Sequence, residues 1–288
     1  IKNFNLERNV YDPEFFEKKE TFRLVKIDPV KDVRNLNIMF ALPGSRHLYK
    51  SKPGRQFGFI LGHEGTGSLL SYLKESGWAQ SLSAGAGSTT RDYGMANIRI
   101  GLTKKGLDQY KEVLKATMDY ISLMKESGHQ KHVFNELKSM AELDEIYASK
   151  GEGMWRATQL ANEVMQYPIE DAGRINYLYQ DDTPKDYISL LSNITADNML
   201  AMLIAKGLPT DSVEHFYQAP YSYQEDDAFY KQLLLTGHRK EFSIPDANPF
   251  IPKNATVPSR EIADDVFPEI LNDKKGIKLY FGQDHEFL

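Results

Sequence analysis

Residues 57–77 read FGFILGHEGTGSLLSYLKESG. An aromatic and aliphatic stretch, Phe57 to Leu61, follows Pro53-Gly54 and is interrupted by Gly62, Gly65 and Gly67 before helical spacing resumes at Ser68 and stops at Gly77. Proline at a helix start, glycines through a turn and glycine at a helix stop predict helix, glycine-rich turn, helix. On the N-terminal side, TFRLVKI (21–27) alternates, and LNIMFAL (36–42) is an apolar run closed by Pro43-Gly44. Both predict strands, as do Ala79 to Ala86 and Ala96 to Leu102 on the other side. Beyond Gly106 the period changes: Leu107, Tyr110, Val113, Leu114, Met118, Ile121 and Met124 share one helical face, ended by Ser127-Gly128. Further helices are expected over 132–148 and 154–165, with another opened by Thr183 as N-cap and Pro184 in its first turn. Met199 to Lys206 fits a strand or a helix. Strands followed by helices predict an α+β fold, a mostly antiparallel sheet with helices packed on one face.

The sequence IPDANPFIPKNATVP (244–258) carries four prolines and reads as an extended connector. This divides the chain into a domain over 1–245, with its core at about 21–244, and a connector over 246–288. The last stretch, IKLYFGQDHEFL (277–288), reads as a strand and turn that open a further domain. The chain starts at Ile1 without an initiator Met and without the basic-then-apolar order of a signal peptide, so it reads as a trimmed piece.

A net charge of −5 with no block of like charge gives no electrostatic footprint for nucleic acid. The longest apolar run, Met199 to Ala205, is far short of the roughly 20 residues of a membrane-spanning helix. With no Cys there is neither a disulfide nor a thiolate metal site, and the chemistry suits a periplasmic or a cytoplasmic setting equally.

Motifs for chemistry fail one by one. Gly62 and Gly67 have the gap of a phosphate loop, but Ser68 stands in place of its Lys, Leu69 in place of its hydroxyl, and Glu64 would face phosphate. His63-Glu64 lacks a third ligand at metal-binding spacing. Neither H-E-x-x-H nor H-x-x-E-H occurs in these residues, and there is no G-x-S-x-G elbow. No catalytic residue and no metal ligand is assigned. His129, His132 and Glu136 lie among Lys125, Glu126, Lys131 and Lys138 and are expected on a solvated helix face. The run from Ser81 to Ser88 is composed of small residues, which suits either a tight hairpin or a strand edge that another backbone can approach.

NLNIMFALPG, followed by YKSKPGRQFGFILGHEGTGSLLSYLKESGWAQSLSAGAG, resembles the second domain of the insulinase and pitrilysin family of zinc metallopeptidases. Leu102-Thr103-x-x-Gly106-Leu107, Tyr167-Pro168 and Asn248-Pro249-Phe250-Ile251-Pro252 extend the resemblance over nearly the whole chain. In that family four related α+β domains enclose a chamber, and the first carries the inverted zinc motif. The resemblance therefore implies a peptidase whose zinc is bound by a first domain absent here, and its bacterial members point to the periplasm. The expected partners are a peptide or small-protein substrate and the other domains of the same full-length chain.

The family's second domain holds an exosite for the N-terminal end of a substrate. Carried over by position, it comprises Phe59, Gly62 and Glu64, with Leu82, Ser83, Ala84, Gly85 and Ala86 as a strand edge. Ala84 replaces a glycine of the pattern and Phe59 a histidine, which implies a narrower groove. The same fold also serves as a scaffold in inactive relatives, so an assembly domain is the alternative function.

Overall fold

The computed structural model describes residues 6, 7, 9, 17–149, 151–252 and 268–282. The strands are β1 (Phe22–Ile27), β2 (Arg34–Pro43), β3 (Ala79–Ser88), β4 (Tyr93–Leu102), β5 (Met199–Ala205), β6 (Ser212–Val213), β7 (Pro220–Asp226), β8 (Glu269–Lys274) and β9 (Ile277–Phe281). The helices are α1 (Pro53–Leu61), α2 (Leu69–Glu75), α3 (Lys104–Asp108), α4 (Tyr110–Ser127), α5 (Lys131–Ile146), α6 (Gly153–Val164), α7 (Pro184–Ser192) and α8 (Asp227–Leu234). Seven strands form one sheet in the order β3-β4-β2-β5-β1-β7-β6, and β8 and β9 form a separate hairpin. Within the large sheet β1 runs parallel to β5, and the other pairings are antiparallel.

Alternation separates the sheet's two faces. Leu36, Ile38, Phe40 and Leu42 of β2, Ala96, Ile98, Ile100 and Leu102 of β4, and Met199, Ala201 and Leu203 of β5 are buried in one cluster. The helices supply the rest of that cluster: Phe57, Ile60 and Leu61 from α1, Leu69, Leu70 and Leu73 from α2, and Val113, Leu114, Ile121 and Met124 from α4. The apolar face expected after Gly106 is thus the face that covers the sheet. The opposite sheet face carries Asn37 and Met39 of β2, Asn97 and Arg99 of β4, and Met202 of β5, all at least partly exposed. This is the fold class expected from the sequence, an α+β layer pair with a mostly antiparallel sheet.

Met199 to Ala205 resolves as a strand. Its burial alternates residue by residue, and Asn198 at its start donates from Nδ2 to Ala41 O at 2.7 Å and to Asn193 O at 2.8 Å. Thr183 precedes α7 as expected, yet its side chain makes no capping bond. The segment 212–234, unassigned from the sequence, forms β6, β7 and α8, whose N-cap Asp226 accepts from Phe229 N–H at 2.9 Å.

Lys52 opens α1 in a left-handed conformation, with φ 45°. Its ammonium donates to Ile175 O and lies 5.1 Å from the centre of the Tyr179 ring. Burial, with Arg55 as a smaller cause, pulls it down from the usual 10.5 to about 8. In the unfolded chain Lys52 still holds a proton between about pH 8 and 10.5, whereas the folded chain has released it. The unfolded state then binds more protons, so Lys52 makes stability rise with pH in that window. Urea titrations of Lys52→Met against the parent are expected to show the variant relatively more stable at pH 7. That advantage should shrink as pH rises through the window, by roughly 2 kcal/mol once solvent screening of a partly exposed ammonium is allowed for. A difference independent of pH would contradict this account.

Candidate peptide-contact site

The glycine turn is held at both ends. Gly62 caps α1 through its N–H, and Ser68 caps α2 by accepting from Ser71 N–H at 3.1 Å. Gly67 has φ +82°, and a Cβ there would lie 2.1 Å from Ser243 Oγ, so this position requires glycine. Gly67 O also accepts from Ser243 N–H at 3.0 Å, which clamps the turn to the segment after α8. His63 turns inward on the loop, its Nδ1 accepting from Gly65 N–H at 3.2 Å. The Glu64 carboxylate pairs with Lys74 at 3.2 Å, and both side chains are well exposed. Glu64 is therefore available to a ligand cation, in competition with Lys74.

β3 lies at the edge of the sheet. Thr89 N–H donates to Tyr93 O at 3.1 Å, so the odd-numbered residues of β3 are the ones bonded to β4. The even-numbered residues turn their backbone groups outward. Helix α1 lies against part of this outer edge. A Cβ at Gly54 would sit 2.0 Å from Ala86 O, and one at Gly58 would sit 2.8 Å from Ala84 O. Four helical residues advance about 6 Å and two strand residues slightly more, so two glycines at this spacing follow alternate strand carbonyls. The helix ends at Leu61, and a Cβ at Gly62 would meet only Gly58 of its own helix. The edge ahead of Ala84 is thus bordered by the end of α1 and not by its side.

Of the residues expected at the groove, Gly58's neighbour Phe59 is partly buried and packs on the core, as do Ala84 and Ala86, while Leu82 is a core residue. Leu82 and Phe59 can offer backbone to a ligand but little side chain. Ser83 is exposed and Gly85 partly so, both on the open face of the sheet. Reading by resemblance missed Gly54 and Gly58, although their spacing of four against the alternation of Ala84 and Ala86 was a signal. It also missed Asn97 and Arg99, two polar residues of β4 beside this edge strand.

One expectation is corrected. His129, His132 and Glu136 are not a solvated face. The His129 side chain is 7% exposed, with Nε2 2.8 Å from Asp182 Oδ1 but off the line of a hydrogen bond. His132 Nε2 is 2.9 Å from Pro245 O, and Glu136, itself buried, accepts from Asn248 N–H at 2.7 Å. Lys131 and Lys138 mark the exposed side of α5, whereas these three residues face the loop before α7 and the segment 245–248. Each goes to a different partner, and among the described residues no group of three or more His, Asp or Glu is placed to hold a metal ion. No helix among the described residues is long and apolar enough to cross a membrane.

Comparison with known proteins gives two family matches in tandem. Residues 5–141 match "Peptidase M16 inactive domain", and residues 146–288 match "Middle or third domain of peptidase_M16". The chain belongs to the M16 peptidase family. Insulin-degrading enzyme of Bos taurus is 30% identical over 287 residues, which span 97% of this chain and 28% of that protein. The putative zinc protease mug138 of Schizosaccharomyces pombe is 30% identical over 283 residues, 96% of this chain and 29% of that protein. The crystal structure of pitrilysin superposes with a TM-score of 0.80 at 22% identity, covering 92% of this chain and 28% of that chain. The M16 chain described here thus spans just over a quarter of the length of these relatives. The two matched stretches meet between 141 and 146, yet β5 and β7 from the second stretch lie within the same sheet as β1 to β4 from the first.

Proposed function

We propose that this M16 chain is a non-catalytic wall domain of a zinc metalloendopeptidase that degrades peptides, and that it contacts the substrate's N-terminal stretch. The observation that carries the reading is the edge strand β3, small in its side chains and bordered by the glycine-turn end of α1. The inactive-domain match and the lack of either two-His, one-Glu motif in these residues support a non-catalytic role. The zinc would then be held elsewhere in the full-length protein. We further read 1–245 as the domain and 246–288 as connector and the start of the next one, the prolines of 245–258 being the support.

A peptide beside β3 would pair with outward backbone groups such as Ala84 N–H, which gives affinity tolerant of sequence. Its terminal ammonium would exchange with Lys74 at the Glu64 carboxylate. An exposed pair contributes about 0–1 kcal/mol, and the displaced Lys74 reduces the net gain. In the intact protein, Glu64→Ala is expected to weaken a free-amine peptide by no more than about fivefold and an acetylated one hardly at all. Ala84→Pro removes a donor and should weaken both peptides alike. Binding of both peptides unchanged in both variants, with folding intact by circular dichroism, would rule the groove out. Assembly without peptide contact is the remaining reading, favoured by the apolar residues exposed on and beside α6, Met154, Trp155 and Met165.

A further inference from the structure

The open face of the β3–β4 hairpin carries a cleft of about 520 Å³. Its floor is set by register. Ser83 of β3 lies beside Arg99 of β4, Arg99 beside Asn37 of β2, and Asn37 beside Met202 of β5. In the next row Gly85 lies beside Asn97, and Asn97 beside Met39. Arg99 is the charged residue of the cleft lining, and no carboxylate pairs with it among the described residues. Beside it, Asn37 Oδ1 is shut from solvent and accepts no hydrogen bond.

The Arg99 guanidinium, exposed in the cleft and without a carboxylate beside it, calls for complementary chemistry. A guanidinium is a planar fork that matches a carboxylate with two parallel bonds. An acidic residue within a peptide brings such a carboxylate on its side chain. Ser83, Gly85 and Gly87 add almost no bulk over the edge of the hairpin, so a ligand side chain can cross β3 to reach β4. Strands lie roughly 4.8 Å apart, and a Glu and an Arg side chain together span two such steps. Met39, Met95 and Met202 provide deformable apolar walls that suit varied neighbours of the acidic residue.

We propose that Arg99, with Asn97 and Asn37, forms a subsite on the open sheet face that selects an Asp or Glu side chain in the bound peptide. The proposal rests on the peptide-contact reading above and adds a preference to it. The subsite is distinct from the Glu64 contact: Glu64 would receive the terminal ammonium, Arg99 an internal carboxylate, and the two lie on different elements.

The test uses the intact protein and a set of fluorescein-labelled peptides in which one position at a time is Glu or its neutral isostere Gln. At low salt, Glu is expected to bind roughly fivefold tighter than Gln at one position in the set. That ratio should fall towards one in Arg99→Met, be partly kept in Arg99→Lys, and shrink in the parent as salt is raised. Asn97→Ala provides a second, milder variant whose ratio should fall less. Peptides that bind with no Glu–Gln difference at any position, or a difference that survives Arg99→Met, overturn the subsite and leave the peptide-contact reading standing. Failure of every peptide to bind overturns both. A preference for a free C-terminal carboxylate over an internal Glu, read from amidated controls, would also overturn the assignment to an acidic side chain.

Discussion

Asp119→Ala is expected to lower stability by about 3–5 kcal/mol, the range for removing one partner of a buried ion pair. Asp119 sits on α4 with its side chain 4% exposed and lies 2.7 Å from Arg239 Nε. It also accepts from Gly237 N–H at 3.0 Å, and Arg239 reaches on to the Tyr72 hydroxyl at 2.7 Å. One carboxylate thus holds the segment after α8 against α2 and α4. The same segment places Phe242 edge-on to the rings of Tyr72 and Tyr120, and Ser243 against Gly67 of the glycine turn. Without Asp119, the Arg239 cation is left 20% exposed with no carboxylate partner, and a backbone N–H loses its acceptor. Urea unfolding measures the loss directly. The double variant Asp119→Ala, Arg239→Met should recover part of it, because the cost of a stranded charge disappears with the charge. A loss under about 1 kcal/mol in the single variant would contradict this description of the cluster.

Gly54→Ala is the second large effect. In most helices this change stabilises, since alanine is the better helix former by about 1 kcal/mol. Here a Cβ would lie 2.0 Å from Ala86 O and 2.7 Å from the carbonyl carbon, and both are backbone atoms that cannot rotate away. The helix must lift from the edge of β3, at an expected net loss of about 3 kcal/mol. Gly58→Ala, with its contact at 2.8 Å, should cost less. Arg55→Ala, at an exposed position of the same helix, should be nearly neutral. Amide exchange gives an independent reading: in Gly54→Ala, protection should fall first along β3. Equal effects of the three substitutions would mean that α1 is not seated on that edge.

Much of the architecture was legible because its signals are local. Alternation marked β1, an apolar run closed by Pro43-Gly44 marked β2, a period of 3.6 marked α4, and Pro53, Gly62 and Gly77 marked where helices begin and stop. Met199 to Ala205 could not be assigned by period, because a short apolar run fits either state until its neighbours are known. β6 and β7 escaped notice for a related reason: Ser212–Val213 is too short to show any alternation, and in β7 only Ser222 is buried. His132 and Glu136 were misjudged because the groups they bind, Pro245 O and Asn248 N–H, lie more than a hundred residues away along the chain.

By itself the sequence determined β1 to β4 and most of the helices, the α+β class, the family resemblance and the lack of either zinc motif in these residues, since each depends on residue type and short spacing. The tertiary structure decided what long-range pairing alone can decide. It inserted β5 between β1 and β2, put β3 at an edge partly covered by α1, and paired Glu64 with Lys74. It also set Ser83, Arg99 and Asn37 in one row of the open face. Strand register and helix docking are settled by which distant surfaces bury one another, and a local pattern does not encode its partner.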